Sequence, residues 1–356
     1  MRLVVLGAGA VGPASAALAV SRGHEAALWS PSGRGTAGLG EVLHAEGAVA
    51  GAFPLRVAAS LPDAFAGADA ALLAVPAYAY PALLPAVAAA LPRGLPLILS
   101  PAASLAPLAV EVARAGLGAR APVGGLATTP VTARRLAPDR VRVATIRSAV
   151  DAAAVPAAAG GEVAALATAL FGIACPVAPD VLPLALANAN PIIHAALALA
   201  NVTRIERAES WPQYGLMTEA ACRLMERLEP ERAALAAALG VAVVPLATSL
   251  ARANAIPEAP LARMAEAIAA SRGAVAGPAD MGTRYVTEDV PFGLAVYLRL
   301  AAQRGVAMPL TEATVAVLEA LWGRDLRANP LLDALAGADL PALLRDGAGR
   351  ATRAGC

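Results

Sequence analysis

The stretch that decides the fold is "RLVVLGAGAVGPASAALAVSRG", residues 2–23. It reads as a short buried strand, a glycine turn and a helix that ends at Gly23. In the pattern G-x-G-x-x-G, Gly7 permits a tight turn, Gly9 lets the backbone approach a pyrophosphate, and Gly12 lets helix and strand pack closely. The predicted dinucleotide-binding residues are Gly7, Ala8, Gly9, Ala10, Val11 and Gly12. The alternative is a glycine-rich turn in another kind of α/β protein.

The loop after the second strand bears on the choice of cofactor. The strand "EAALW", residues 25–29, is followed by "SPSGRG" and not by the acid that binds the ribose 2′-hydroxyl in NAD sites. Ser30, Ser32 and Arg34 offer hydroxyl groups and a guanidinium, which can hydrogen-bond a 2′-phosphate. We therefore expect NADP to be preferred, with NAD also accepted. The alternative is a solvated polar loop whose Arg34 points to water.

Further α/β units complete the N-terminal half. "ALLAVPA", residues 71–77, is an apolar strand that stops at Pro76, where the carboxyl edge of the sheet would face a nicotinamide. "LPLILS", "GGLATTP" and "VRVATIR" read as later strands, and a helix covers about 162–171. We predict a Rossmann-type domain over residues 1–178.

Length and composition indicate the number of domains and exclude several classes of function. A chain of 356 residues is expected to form two domains. The net charge of +1 argues against a nucleic-acid surface. All 28 basic residues are arginine, so Schiff bases on lysine, P-loop lysines and lysine general acids are excluded.

Cysteine usage and hydropathy indicate a cytoplasmic protein. Cys175, Cys222 and Cys356 show no metal-like or disulfide spacing, which is typical of a reducing compartment. The longest uncharged stretch, residues 70–92, is interrupted by four prolines, so we expect no membrane span.

After residue 178 the strand pattern disappears. We predict an all-α domain over residues 179–345, followed by a frayed tail over 346–356. The predicted helices cover about 191–207, 215–228, 230–239, 259–271, 291–304 and 311–322. A helical domain of this kind usually supplies the substrate-binding groups, and its alanine-rich surface would suit a homodimer.

One of the three histidines lies in "NANPIIHAALALAN", residues 188–201. Asn190 and Pro191 match the N-cap and N1 preferences, which places His194 about one turn inside a helix. The positive end of the helix dipole disfavours a charged imidazole, so His194 requires a carboxylate partner. Asn190 and Asn201 share roughly the same face, which indicates a cleft with substrate contacts. The alternative is a core histidine bonded to the backbone.

The candidate partner lies in "MGTRYVTEDVPFGL", residues 281–294. Arg284 and Asp289 are five residues apart, which on a continuous helix would separate them by about 140°. They converge only if the segment turns before Pro291, which is predicted to start a helix. The alternative is a capping acid beside a solvated arginine.

The chain resembles the octopine/nopaline (opine) dehydrogenase family. The matching stretches are "GAGAVG", "ALLAVPAYAYPALLPAV", "NANPIIHAALALAN", "EPERAALAAALG" and "RYVTEDVPFGL" followed by "GVAMP". The resemblance implies reduction, by NAD(P)H, of the imine formed between an amino acid or other amine and a 2-oxo acid. It also implies that His194 is the catalytic acid/base, that Asp289 orients and charges it, and that Arg284 binds a substrate carboxylate.

Two other functions stay open. The first is an NADP-dependent dehydrogenase of an ordinary 2-oxo or 2-hydroxy acid, with a ketopantoate-reductase-like layout but without the catalytic lysine. The second is a non-catalytic NADP(H)-binding regulator, which would need the glycine turn but not His194, Arg284 and Asp289.

Overall fold

The computed structural model describes residues 1–115, 121–272 and 275–347, which divide into two units. Of the described residues, the first unit comprises those within Met1–Ala185 together with residues 330–347, and the second comprises those within Leu186–Asn329. The first unit is an α/β structure with a largely parallel sheet and the second is helical, as the sequence predicts.

Among the residues that the structure describes, seven strands of the first unit form one sheet and four form another. The strands are β1 (Arg2–Leu6), β2 (Glu25–Trp29), β3 (Val42–Gly47), β4 (Gly51–Pro54), β5 (Arg56–Val57), β6 (Ala70–Leu73), β7 (Leu97–Leu99), β8 (Val123–Leu126), β9 (Val131–Ala137), β10 (Arg140–Ile146) and β11 (Ala152–Val155). The large sheet has the order β11-β8-β7-β6-β1-β2-β5, in which only β11 runs antiparallel to its neighbour. Because β1 lies between β2 and β6, the loops after these three strands meet at one edge.

Within the described part of this unit, eight helices accompany these sheets or lead out of them. They are α1 (Val11–Ser21), α2 (Leu61–Phe65), α3 (Tyr80–Ala90), α4 (Ala106–Ala113), α5 (Gly160–Phe171), α6 (Leu182–Ala187), α15 (Pro330–Ala334) and α16 (Leu340–Asp346). Short 3₁₀ turns cover Ala77–Ala79, Ala103–Leu105 and Ala157–Ala159.

The small sheet, of order β4-β3-β10-β9, explains the composition of α1. Helix α1 contacts the large sheet and all four elements β3, β4, β9 and β10 of the small sheet. Residues Gly12–Ala19 are consequently all buried, and apart from Ser15 they carry no polar side chain, as expected for a helix covered on both sides. The stretch "VRVATIR" is therefore a strand, as expected, but it belongs to this second sheet and not to the Rossmann sheet.

The second unit holds eight helices and one π-helical turn among the described residues. They are α7 (Asn190–Ala200), α8 (Val202–Glu206), α9 (Glu219–Ala238), α10 (Leu246–Asn254), α11 (Leu261–Arg272), α12 (Arg284–Thr287), the π turn Val290–Leu294, α13 (Ala295–Arg304) and α14 (Pro309–Trp322). The predicted helix 191–207 is divided at Asn201.

The predicted break before Pro230 is wrong, because α9 runs through it. The fully buried Arg232 donates two hydrogen bonds to the carboxylate of Glu229 and others to the carbonyl oxygens of Leu186 and Val244. These tertiary bonds offset the backbone hydrogen bond that a proline removes.

The domain boundaries differ from the prediction at the C-terminal end. Helix α15 contacts α3 and α4, and α16 contacts α4 and β11, so the segment that follows Asn329 belongs to the first unit and not to the helical one. Leu331, Leu332 and Leu343 are buried there, which explains why the segment leaves the helical unit. Of the predicted tail 346–356, residues 348–356 lie outside the described residues, as does Cys356.

One apolar segment, Leu182–Ala200, has the length and composition of a membrane span, and 78% of its 18-residue window is buried inside the protein. It consists of α6 and α7, which are separated at Asn188 and Ala189. Burial of this kind is that of core helices.

Candidate active site

The glycine turn of the first unit has the geometry that its sequence predicts. Gly7 has a φ of +126°, and a Cβ atom there would lie 2.8 Å from Val75 Cγ1 and closer still to the Ala74 carbonyl oxygen. A Cβ atom on Gly12 would collide with the Gly7 carbonyl oxygen. Gly9 is exposed, and a Cβ atom there would meet nothing within 4 Å. The turn is therefore open to solvent at Gly9, where a ligand can approach the protein backbone.

The peptide groups after Gly9 lead directly into a helix. Ala10 is the N-cap residue of α1 and Val11 its first residue, whereas Ala8 is buried beneath the turn. The first N–H groups of a helix lack internal partners and carry the positive end of its dipole, so this end suits a phosphate. The residues fit a dinucleotide cofactor.

The loop after β2 carries the three residues that were predicted to bind the 2′-phosphate. Ser30 Oγ accepts a hydrogen bond from the Gly35 N–H at 3.2 Å, and Ser32 Oγ accepts one from the Arg34 N–H at 3.4 Å. The Arg34 side chain is exposed and bonds to no described residue. Both serines therefore shape the loop, and Arg34 is its available cation. Pro76 is exposed two residues beyond Ala74, at the same edge of the sheet.

The second unit brings His194 and Asp289 together. The Nδ1 atom of His194 lies 2.7 Å from Asp289 Oδ2, and the two side chains are 11% and 5% exposed. A carboxylate that accepts the Nδ1 proton fixes the ring orientation and leaves Nε2 to exchange a proton. The candidate partner Asp289 thus lies within hydrogen-bonding distance of His194.

Asn190 does not have the predicted N-cap position. Ala189 is the N-cap residue of α7, and Asn190 is the first helical residue. The residue before the N-cap satisfies the first helical N–H group, because Asn188 Oδ1 accepts a hydrogen bond from the Asn190 N–H at 3.0 Å. The half-buried Asn190 side chain bonds to no described residue. Asn201 is buried at the other end of α7, where its Nδ2 donates to the Leu197 carbonyl oxygen at 3.0 Å.

The position of Asp289 results from a change of helix type. The N–H groups of Glu288 and Asp289 donate to the Arg284 carbonyl oxygen as α12 ends. The chain continues as the π turn, in which the Leu294 N–H donates to the Asp289 carbonyl oxygen. Turns of this type are common at functional sites, because they redirect a side chain within a continuous helix.

Two contacts hold the π turn in place. Gly293 lies so close to Pro191 of α7 that a Cβ atom would be 2.7 Å from the proline Cβ and closer still to its Cγ. The fully buried Asn329 donates from Nδ2 to the Pro291 carbonyl oxygen at 2.8 Å. The helix that carries His194 and the segment that carries Asp289 are therefore fixed against each other.

Tyr285 is a site residue that the sequence analysis missed. Its ring stacks on the His194 imidazole with the centroids 3.6 Å apart and the planes 3° from parallel. Its hydroxyl donates to Gln213 Oε1, and burial raises the pKa of this phenol above its usual range. The available signal was its position four residues before Asp289, in a chain with only five tyrosines.

Arg284 lies beside this stack but faces outward. Its side chain is 59% exposed, and its Nε atom is 3.6 Å from Oε2 of the buried Glu288. An exposed guanidinium that is anchored by one acid keeps other donors for an incoming carboxylate. Within residues 1–115, 121–272 and 275–347, no group of three His, Cys, Asp or Glu side chains could hold a metal ion.

Known proteins resemble the chain over most of its length. Residues 177–322 match the family model described as "NAD/NADP octopine/nopaline dehydrogenase, alpha-helical domain". An opine dehydrogenase of Arthrobacter sp. (strain 1C) is 27% identical over 333 residues, 91% of each chain. The structure of an octopine dehydrogenase with NADH and L-arginine has a TM-score of 0.76 at 20% identity, covering 97% of this chain and 94% of that one. A yersinopine dehydrogenase with NADP⁺ bound has a TM-score of 0.70 at 19% identity, covering 93% and 95%. The predicted fold class is confirmed.

Proposed function

We propose that this chain is an NAD(P)H-dependent opine-type dehydrogenase. Its resemblance to the octopine/nopaline dehydrogenase family is confirmed, because residues 177–322 match the alpha-helical domain of that family. Its substrates are an amino acid or other amine and a 2-oxo acid. The observation that carries the proposal is the buried His194–Asp289 pair, with 2.7 Å between Nδ1 and Oδ2.

The chemistry assigns one task to each side chain. Reduced nicotinamide, when bound, supplies the hydride to the imine carbon. His194 transfers a proton from Nε2 to the imine nitrogen, which prevents negative charge from building up there. Asp289 holds the opposite ring nitrogen and stabilises the imidazolium whenever His194 is protonated. Arg284 binds the carboxylate that every 2-oxo acid carries.

The cofactor assignment rests on the first unit. The exposed Gly9 and the start of α1 support a dinucleotide, and the uncommitted Arg34 supports a preference for NADP over NAD. The octopine dehydrogenase structure contains NADH and the yersinopine dehydrogenase structure contains NADP⁺, so relatives of this fold use either cofactor.

Consumption of NADPH, followed by its absorbance, tests the proposal with a matrix of amines and 2-oxo acids. We expect turnover only when both substrates are present, and a product whose mass equals their sum minus one water plus two hydrogen atoms. Turnover with a 2-oxo acid alone would instead indicate an ordinary 2-oxo acid dehydrogenase. Cofactor binding without any turnover would indicate a regulator.

Variants of the pair sharpen this test. His194→Ala should lower kcat by roughly 10²–10⁴ while leaving NADPH binding nearly unchanged. Asp289→Asn should lose much of the same activity, and the double variant should be little worse than His194→Ala, because groups that act as a unit are not additive. The matched control is His44→Asn in β3, which should keep full activity. Single losses that multiply in the double variant would contradict the assignment.

A further inference from the structure

Arg135, in β9 of the small sheet, forms five hydrogen bonds, all to backbone carbonyl oxygens. Its Nη1 donates to Ala8 and to Gly9, at 3.0 Å each. Its Nη2 donates to Gly35 at 3.2 Å and to Pro138, and its Nε donates to Ala137 at 2.9 Å. One guanidinium thus joins the glycine turn to the loop that carries Arg34.

The bonds to Ala8 and Gly9 determine the direction of the neighbouring donors. In a trans peptide the C=O and N–H bonds point in opposite directions. The carbonyl of Ala8 shares its peptide group with the Gly9 N–H, and the carbonyl of Gly9 shares its own with the Ala10 N–H. Because Arg135 holds both carbonyl oxygens, the two N–H groups point away from it. A charged donor also polarises the peptide groups that it binds, which strengthens their N–H groups as donors.

Arg135 keeps its positive charge without direct neutralisation. None of the described carboxylates lies within 4.0 Å of it, and Asp139 acts on it only over a longer distance. Burial lowers the pKa of Arg135, but a guanidinium stays protonated at any physiological pH. The glycine turn therefore has a fixed cation behind it.

Gly35 shows how closely the two segments fit together. A Cβ atom at Gly35 would lie 2.9 Å from the Ala8 carbonyl oxygen and 3.1 Å from Ser30 Oγ. The loop after β2 therefore lies directly on the glycine turn, and Arg135 bonds to both at their junction.

We infer that Arg135 is a positioning and specificity residue of the dinucleotide site. It orients the peptide groups that bind the diphosphate, and it holds the loop that distinguishes the ribose 2′ position at a fixed place beside them. This inference rests on the proposed use of a dinucleotide cofactor. It assigns a cofactor role to the small sheet, which lies outside the Rossmann motif.

Arg135→Gln and Arg135→Lys separate geometry from charge. Lysine keeps the charge, but its single nitrogen has three N–H donors and cannot replace the five bonds that Arg135 makes from three separate nitrogen atoms. The matched control is Arg134→Gln, because Arg134 is its neighbour in β9 and its exposed side chain bonds to no described residue. Thermal unfolding of each variant reports folding separately from binding.

We expect Arg135→Gln to raise the Kd of NADPH, measured by nicotinamide fluorescence, about tenfold to hundredfold, as the loss of charge-assisted hydrogen bonds implies. The ratio of the NADH and NADPH dissociation constants should fall toward one in both Arg135 variants. The kcat at saturating cofactor and the KM of the 2-oxo acid should stay within about twofold of the wild-type values.

Unchanged dissociation constants in folded Arg135→Lys and Arg135→Gln would overturn the inference, as would an equal loss in Arg134→Gln. A kcat that falls at saturating cofactor, with NADPH affinity retained, would also overturn it. In each of these cases the wild-type protein still binds NADPH, so the proposed function stands. If the wild-type protein binds no dinucleotide, both proposals fail.

Discussion

The imidazole of His194 lies flat against the phenol ring of Tyr285, with ring centroids 3.6 Å apart and planes 3° from parallel. The face of an aromatic ring carries partial negative charge, so it stabilises a cation placed over it. Asp289 holds the edge of the same imidazole. His194 is therefore oriented by a carboxylate in its plane and by an aromatic ring on its face.

Tyr285→Leu should lower kcat/KM about twofold to thirtyfold, the equivalent of about 0.5–2 kcal/mol for a cation over an aromatic face. Tyr285→Phe keeps the ring but loses the hydroxyl that bonds to Gln213, so it should stay closer to wild type. Steady-state kinetics of both variants measure the difference. Equal losses of kcat/KM in the two variants would show that the Tyr285 hydroxyl, and not its ring, is responsible for the effect.

Gly293→Ala should separate the π turn from α7. The added methyl group would overlap Pro191, and overpacking of this kind costs about 1–3 kcal/mol. Because the turn carries Asp289, kcat should fall together with the free energy of unfolding, which urea denaturation measures. Gly161→Ala is the control, since a Cβ atom there meets nothing within 4 Å. A destabilised variant with full kcat would show that this contact does not position Asp289.

Arg284→Lys should raise the KM of the 2-oxo acid while leaving the unfolding temperature almost unchanged. The side chain is 59% exposed, so little packing is lost, but a lysine lacks the planar fork that matches a carboxylate. Arg223→Lys is the matched control, because Arg223 is also exposed and also pairs with a glutamate four residues away. Equal KM values in the two variants would show that Arg284 is a solvated surface residue that does not bind the substrate carboxylate.

Arg34→Ala should weaken NADPH binding selectively. A charge-assisted hydrogen bond to the 2′-phosphate contributes on the order of 1.5–3 kcal/mol, or roughly tenfold to hundredfold in Kd. NADH lacks this phosphate and should bind as it does to the wild-type protein. Fluorescence titration with the two cofactors provides the comparison. Parallel losses would show that Arg34 does not contact the 2′ position.

Cys222 should make stability depend on pH in the alkaline range. Burial raises the pKa of its thiol to about 11, from 9.0 in a solvated chain, and Glu226 and Glu219 add to the effect. The folded state thus retains a proton that the unfolded state releases, so the stabilisation is complete below about pH 9 and is lost as the pH rises toward 11. Urea denaturation from pH 8 to 10.5 should show a decline that is smaller in Cys222→Ala.

Local sequence was sufficient to predict the glycine turn, because the positive φ of Gly7 and the close approach of Gly12 to the Gly7 carbonyl oxygen both belong to one strand–turn–helix unit. The sequence identified His194 and Asp289 as candidate partners, but it did not predict the geometry of their contact. It depends on a π turn, whose extra residue leaves no periodic signal in the sequence.

Other features depend on tertiary contacts that no local pattern specifies. The continuity of α9 through Pro230 relies on the bonds that the buried Arg232 makes to distant carbonyl groups. The four-stranded sheet pairs β3 with β10, almost one hundred residues apart along the chain, and neither strand has a long apolar run. The stacking of Tyr285 on His194 likewise joins residues from separate helices.

The two-segment composition of the first unit has a consequence for the nascent chain. Helices α15 and α16 leave the ribosome only after every residue of the second unit has been synthesised. Until then α4 and β11 lack the partners that cover them, and apolar surface stays open to wrong association. The α/β unit is therefore completed last although its chain begins first, and the helical unit is synthesised while the α/β unit still lacks α15 and α16.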